Sequence, residues 1–228
     1  VDPAAARCWY VSYGSNLSSE RLACYLAGGR PRGGRWTTPG ARDQSPPGAD
    51  RRVELDHALW FGGPSHTWDG GPAYLDVDAP PVDAPRVAVA GVGAAGAEAA
   101  GVCAPVMGAA EMGVAGRTLA RAWLLTHEQF EDVVAQENQL APGSLVVERR
   151  LLEVGGVLLP GSRYGRLVAL PSVGGDGLPA VTFTYVDRPP ARAPDPAYLA
   201  MLGAGLRELG LTGAQVEAYL AAQARLRT

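Results

Sequence analysis

The sequence predicts a mixed α+β fold. Short runs rich in β-branched and aromatic residues recur at unequal spacing, and few helices stand among them, which argues against a doubly wound sheet. The chain also reads as strand, tight turn and helix N-terminus within about ten residues near its start.

Residues 8–13, Cys8-Trp9-Tyr10-Val11-Ser12-Tyr13, suit a buried, pleated first strand. Gly14-Ser15-Asn16 breaks it, and Ser18 and Ser19 are N-cap candidates for a helix from Glu20 to about Ala27. Residues 28–52 form a loop rich in Gly, Pro and Arg, with six Arg against Asp43 and Asp50. A solvated loop is the plain reading; a lip that steers anions over a pocket is the sharper one. Further strands are expected at 53–61, 72–77, 119–126, 145–154, 164–170 and 180–185. Turn chemistry with one large aromatic, Trp68, fills 62–71.

Gly and Ala supply 18 of the 31 residues over 86–116, and no helical or alternating period is visible there. That stretch reads as an inserted excursion. Its Gly-Val-Gly-Ala-Ala-Gly string, 91–96, formally fits a dinucleotide fingerprint. It lacks the acidic residue on a second strand of a βαβ unit, so no cofactor is expected. After a Pro-rich linker over 188–196 come two helices. Tyr198, Leu202, Leu206 and Leu209 have helical spacing, with Gly210 as a stop. Thr212 and Gln215 form a capping-box pair for the last helix, with Val216, Tyr219 and Leu220 inward.

The 228 residues (23.7 kDa) are read as a single domain spanning 1–228, with 47% hydrophobic residues for its core. All 20 basic residues are Arg, and the net charge of −3 argues against a nucleic-acid partner and against a disordered acidic chain. No apolar run reaches membrane-spanning length, and residues 1–10 lack the charged and apolar regions of a signal peptide. Cys8, Cys24 and Cys103 are odd in number and widely spaced, so neither a disulfide framework nor a metal site is expected. A cytoplasmic location follows from these observations; the oligomeric state does not.

The most informative segment is Thr126–Asn138. Thr126 and Gln129 form a capping box that starts a helix at about His127. Phe130, Val133 and Val134 mark its apolar face, and Glu137, seven residues beyond Phe130, falls on that face near the C-terminal end. Desolvation and the negative helix terminus both disfavour an ionised carboxylate there, which suits a proton shuttle. The plain alternative is a Glu that pairs with a core Arg or reaches solvent past a frayed end. Near the start of the chain, the turn around Gly14 leaves backbone N–H groups unpaired, and Ser15 and Asn16 add side-chain donors, a combination that can hold a carboxylate.

These residues resemble the gamma-glutamylcyclotransferase family. YVSYGSNLSSERL resembles its opening strand, YGSN turn and first helix; SHTWDGGPAYL its Trp-x-Gly-Gly segment; ARAWLLTHEQFEDVVAQEN the strand and helix ending in its catalytic Glu; and PDPAYLAMLGAGLRELGL its Pro-x-Pro-x-Tyr helix. Order and rough spacing agree. The resemblance implies a mixed fold with a small β-barrel core and a few peripheral helices. It also implies an enzyme that cleaves a gamma-glutamyl amide without a cofactor. The substrate's own α-amine attacks the γ-carbonyl, releasing 5-oxoproline and a free amine, and holding the folded-back conformer supplies several kcal/mol. Glu137 is then the general base and acid, and Tyr13, Gly14, Ser15 and Asn16 are the substrate cradle. Tyr10 and Tyr185 are further candidates for the pocket.

Two departures stand against the family pattern. Asn138-Gln139 follows the Glu where the family usually has Gly, and the Ala/Gly stretch has no counterpart in its simple members. The first keeps open a non-catalytic small-molecule-binding protein of the same fold. The second keeps open an interaction module working through 86–116. The Arg-rich loop and the Ala/Gly stretch could shape a mouth for a large or anionic amine, as in removal of a gamma-glutamyl protecting group in a specialised pathway. His57, His66 and His127 form no usable set, and no HExxH or GxSxG string occurs, which disfavours zinc and serine hydrolases.

Overall fold

The computed structural model describes residues 6–79 and 117–225. The expectations for 86–116 and for Cys103 lie outside the described residues. Among the described residues, eight strands and five α-helices follow in chain order: β1 (Arg7–Ser12), α1 (Ser19–Ala27), β2 (Asp50–Leu55), β3 (Leu59–Phe61), β4 (Ala73–Leu75), β5 (Thr118–Thr126), α2 (His127–Glu137), α3 (Arg149–Val154), β6 (Gly156–Val157), β7 (Arg166–Leu170), β8 (Ala180–Thr184), α4 (Pro196–Glu208) and α5 (Gly213–Arg225).

A six-stranded sheet runs in the order β2-β5-β1-β8-β7-β6, and β3 and β4 form a separate pair. Within the large sheet β1 and β8 are parallel, and the other neighbours are antiparallel. The sheet is open. The expected barrel is therefore corrected: β2 and β6 are edges that do not meet. Their sequences suit edges, since β2 carries Asp50, Arg51, Arg52 and Glu54 largely in solvent, and β6 is two residues long.

β1 is central, and its alternation feeds two cores. Cys8 and Tyr10 join Leu22 and Tyr25 of α1 and Phe130, Val133 and Val134 of α2 on one face. Trp9, Val11 and Tyr13 join the β3–β4 pair and Tyr198, Leu202 and Leu206 of α4 on the other. Burying a Leu or Phe side chain in such a layer stabilises by roughly 1.5–3 kcal/mol. Cys8, buried between α2 and β1, has its thiol pushed up to about 12 by burial, with the Glu131 charge adding to it.

The helix signals read from the sequence have physical counterparts. Gln129 N–H donates to Thr126 Oγ1 at 3.1 Å while Thr126 N–H donates to Gln129 Oε1 at 3.0 Å, so both halves of the box are made. Thr212 and Gln215 repeat this on α5, and Gly210 takes φ 90° just past α4. Ser18 is the N-cap of α1, but its own side chain does not cap it. Instead Glu208, at the end of α4, receives the Ser19 N–H on both carboxylate oxygens at 3.2 and 3.1 Å.

Two strand expectations need correction. The run 53–61 is split by a bend at 56–58 into β2 and β3, which belong to different sheets. The run 145–154 is no strand. Alternation is real only at its start, where Leu145 and Val147 are buried and Val146 is exposed. From Arg149 onward it is α3, where Arg149 and Glu153 pair at helical spacing at 3.1 Å, and Gly155 (φ 71°) ends it. An apolar run of this length is ambiguous between the two periods.

Candidate active site

The chain enters the candidate site through the turn after β1. Residues Ser15–Leu17 form a single 3-10 turn, closed by Leu17 N–H on the Gly14 carbonyl at 3.0 Å. Trp123 of β5 pins the turn from behind: its indole N–H reaches the Asn16 carbonyl at 3.0 Å and Ser12 Oγ at 3.1 Å. α4 presses on it from the other core. A Cβ on Gly205 would lie 2.4 Å from the Leu17 carbonyl carbon, and one on Gly14 would lie 2.8 Å from the Tyr198 hydroxyl, so glycine is the residue that permits both approaches.

α2 brings Glu137 to the same place. Asn16 Nδ2 donates to Glu137 Oε1 at 2.9 Å and to the Tyr10 hydroxyl at 2.9 Å. Two stretches 121 positions apart in sequence thus share one hydrogen bond. Glu137 is half-buried, and it is not the most buried acid of its helix. Asp132 is fully buried. It accepts from Arg42 Nε at 3.0 Å, the Arg42 N–H at 2.8 Å and the Gly143 N–H at 2.7 Å. The loops at 41–43 and 143–147 cover the flank that helical periodicity leaves outward, and they saturate Asp132 with donors.

The end of α2 explains the departure after the Glu. Gln139 N–H bonds to the Gln136 carbonyl at 3.1 Å and Leu140 N–H to the Ala135 carbonyl at 2.9 Å, the paired closing bonds of a Schellman motif. Gln139 sits at φ 60°, the left-handed position that favours glycine. Asn138 turns its side chain away to Val134 and Tyr164, donating to their carbonyls at 3.0 and 3.1 Å and accepting from the Tyr164 N–H at 3.0 Å. Asn138 thus ties α2 to the chain before β7, and Glu137 still faces inward.

A cleft that opens to solvent lies at this junction. Tyr10, Tyr13, Gly14, Ser15, Asn16 and Glu137 all line it. Tyr185 does not. It lies on the neighbouring cavity with Tyr74 and Arg163, where its hydroxyl donates to Asp76 at 2.7 Å, and Arg188 holds the other oxygen of that carboxylate at 2.6 Å. Of the Arg-rich loop, Trp36 reaches the cleft, while Arg35 pairs with Asp69 and Arg32 with Glu20.

Burial, with the Glu137 charge adding to it, pushes the phenols of Tyr10, Tyr164 and Tyr198 upward. The Tyr25 phenol is raised by burial too; Arg21 pulls it back, and Glu137 adds to the rise. These phenols therefore stay protonated around one carboxylate. Their hydroxyls are ordered: Tyr13 donates to the Phe183 carbonyl at 2.6 Å, and Tyr164 to the Ala73 carbonyl at 3.0 Å. Tyr10 stacks on Phe183 with centroids 5.2 Å apart. His66 lies at the mouth, and burial, with the Arg163 charge, pushes its imidazole down. Among the described residues no group of three or more His, Cys, Asp or Glu is placed to hold a metal ion, and no helix is long and apolar enough to cross a membrane.

Sequence reasoning missed Arg21. This side chain of α1 is 2% exposed and lines the cleft. Its position after the YGSN turn was legible, but a lone Arg on a short helix carries no signal of burial.

No family profile matches the chain. Among curated proteins it is similar to Histone deacetylase 5 of Arabidopsis thaliana, 28% identical over 240 residues covering 96% of this chain. The chain spans 31% of the length of that relative. Among solved structures it is similar to a gamma-glutamyl cyclotransferase, at TM-score 0.47 and 14% identity, covering 93% of this chain and 85% of that one. It is also similar to an uncharacterized protein from Homo sapiens, at TM-score 0.46 and 15% identity over the same shares. At such distances the chemistry rests on the cleft itself.

Proposed function

We propose that the protein is a gamma-glutamylcyclotransferase-like enzyme that cleaves a gamma-glutamyl amide to 5-oxoproline and a free amine in the cytoplasm. The observation that supports this reading is the direct bond from Asn16 of the turn to Glu137, in a cleft that opens to solvent. A carboxylate that meets the Asn16 amide and the Tyr25 hydroxyl, and is ringed by neutral phenols, is placed to take and return a proton.

In this mechanism the substrate folds back so that its α-nitrogen faces its own γ-carbonyl. Glu137 takes a proton from the α-ammonium, and the freed amine attacks the γ-carbon. The oxyanion that develops is held by the donors of the Tyr13–Asn16 turn. As the bond to the leaving nitrogen breaks, the proton on Glu137 and the one on the attacking nitrogen pass to the departing amine, which leaves as an ammonium ion. Positioning the two ends supplies several kcal/mol of the barrier reduction, and proton transfer through Glu137 about 10²–10⁴-fold in rate. Release of a gamma-glutamyl protecting group in a specialised pathway is the use that a wide mouth would suit.

The test is incubation with a panel of gamma-glutamyl amines and mass spectrometry for 5-oxoproline. Product with wild type and a large loss with Glu137→Gln are expected. Equal turnover by Glu137→Gln would remove Glu137 from the mechanism. Saturable binding of the amides with no product would favour the non-catalytic binding protein instead.

A further inference from the structure

The cleft holds a buried cation that its own fold leaves unsatisfied. Arg21 is 2% exposed, yet among the described residues Nε and Nη1 have no hydrogen-bond partner. Nη2 donates to the Tyr25 hydroxyl, and the guanidinium lies over the Tyr25 ring with Cζ 4.1 Å from its centroid. Among the described residues no carboxylate forms an ion pair with it; the adjacent acid, Glu20, accepts from the Arg32 N–H at 3.0 Å. Burying a charge without an opposite charge is costly, and burying two unpaired N–H groups adds to that cost. A fold keeps such an arrangement where a ligand completes it.

The cleft also contains the opposite deficiency. Asn16 gives both bonds of its Nδ2 to Tyr10 and Glu137, which leaves Oδ1 buried with no donor. Beside it stands the Glu137 carboxylate. One side of the cleft therefore lacks an anion with two acceptor oxygens, and the other lacks a cation with several N–H donors. Tyr25 spans the two, since its hydroxyl accepts from Arg21 and hydrogen-bonds the Glu137 carboxylate.

We infer that Arg21 is the carboxylate-binding residue of this cleft, and that the ligand accepted there is an α-amino-acid head group. Nη2 carries a second N–H beside the one given to Tyr25, and with Nε or with Nη1 it forms a planar fork that matches the two oxygens of a carboxylate. The α-ammonium of the same head faces Glu137 and Asn16 Oδ1. The assignment deepens the proposed function, on which it rests for its reaction: the α-carboxylate binds Arg21, so the YGSN turn is left for the γ-carbonyl. It makes the α-carboxylate a requirement, and it confines substrates to amides whose glutamyl head is zwitterionic.

The test compares L-glutamate with its α-carboxamide, isoglutamine, as ligands of the wild-type protein, Arg21→Met and Arg21→Lys, by calorimetry. Loss of a charged partner to a buried fork is expected to weaken isoglutamine by roughly 10²-fold or more against glutamate in wild type. In Arg21→Met glutamate falls to the isoglutamine level, and Arg21→Lys restores part of the preference. The melting temperature separates this from a structural role: removing an unsatisfied buried cation leaves it unchanged or raises it, and a marked fall in Arg21→Met would overturn the inference. Equal binding of the two ligands by wild type, or no binding of either at millimolar concentration, would overturn it as well. Turnover keeps the two readings apart. Discrimination that depends on Arg21 with no 5-oxoproline formed sustains the binding site and sinks the reaction. 5-Oxoproline formed equally fast from γ-glutamyl and γ-isoglutaminyl amides sustains the reaction and sinks the assignment.

Discussion

Arg21 and Arg121 are both under a tenth exposed, and both stack on an aromatic ring, at 4.1 Å from Tyr25 and 3.8 Å from Trp123. Their hydrogen-bonding differs completely. Arg121 meets Asp50 at 2.7 Å, Glu208 at 2.6 Å and the Leu17 carbonyl at 3.1 Å, and so ties β2, α4 and the YGSN turn to β5. Among the described residues Arg21 meets one hydroxyl, and two of its nitrogens have no partner. Burial and stacking are shared, so neither distinguishes a structural cation from a functional one. The number of satisfied donors does. The same contrast separates the two carboxylates of α2: Asp132 is surrounded by donors, whereas Glu137 is held by Asn16 at the cleft.

The largest effect expected from this contrast is on the rate. Glu137→Gln should lower kcat by about 10²–10⁴-fold with a melting temperature close to wild type, read by 5-oxoproline release and thermal unfolding. Asp132→Asn should do the reverse, unfolding at markedly lower denaturant while the folded fraction keeps its kcat. The next effect is on stability. Arg121→Met removes the guanidinium shared by Asp50, Glu208 and the Leu17 carbonyl, and should cost about 3 kcal/mol in a urea melt. Were Arg21→Met to cost as much, the distinction between the two arginines would fail.

A smaller effect concerns the end of α2. Gln139→Gly relieves the left-handed backbone at φ 60° and should stabilise by up to about 1 kcal/mol. The smallest is a pH effect. Hydrogen bonds to Asp43, first from Ser45 and then from Thr126, hold its carboxyl below the usual range. A group with a depressed folded value contributes stability that is full above its unfolded value and lost as pH falls through the folded one. Asp43→Asn should therefore flatten the fall in stability below about pH 4 and change little at pH 7. A Tm series from pH 7 to pH 2 would show it.

What the sequence determined by itself are the features of short range. Strand β1 and its two-faced alternation, the capping boxes at Thr126 and Thr212, the stop at Gly210 and the placing of Glu137 on the inner face of α2 all follow from neighbours within a few residues. Periodicity and capping are local physics, so they can be read from the chain. The tertiary structure alone decided the rest. It left the sheet open, bent 53–61 between two sheets, made a helix of 149–154, put Tyr185 on a neighbouring cavity and buried Asp132 more deeply than Glu137. It also set one arginine among two carboxylates and the other, among the described residues, beside a single hydroxyl. Burial and hydrogen-bond satisfaction depend on which distant segments arrive, and for Arg21 no periodicity encodes that, among the described residues, only the Tyr25 hydroxyl accepts from it.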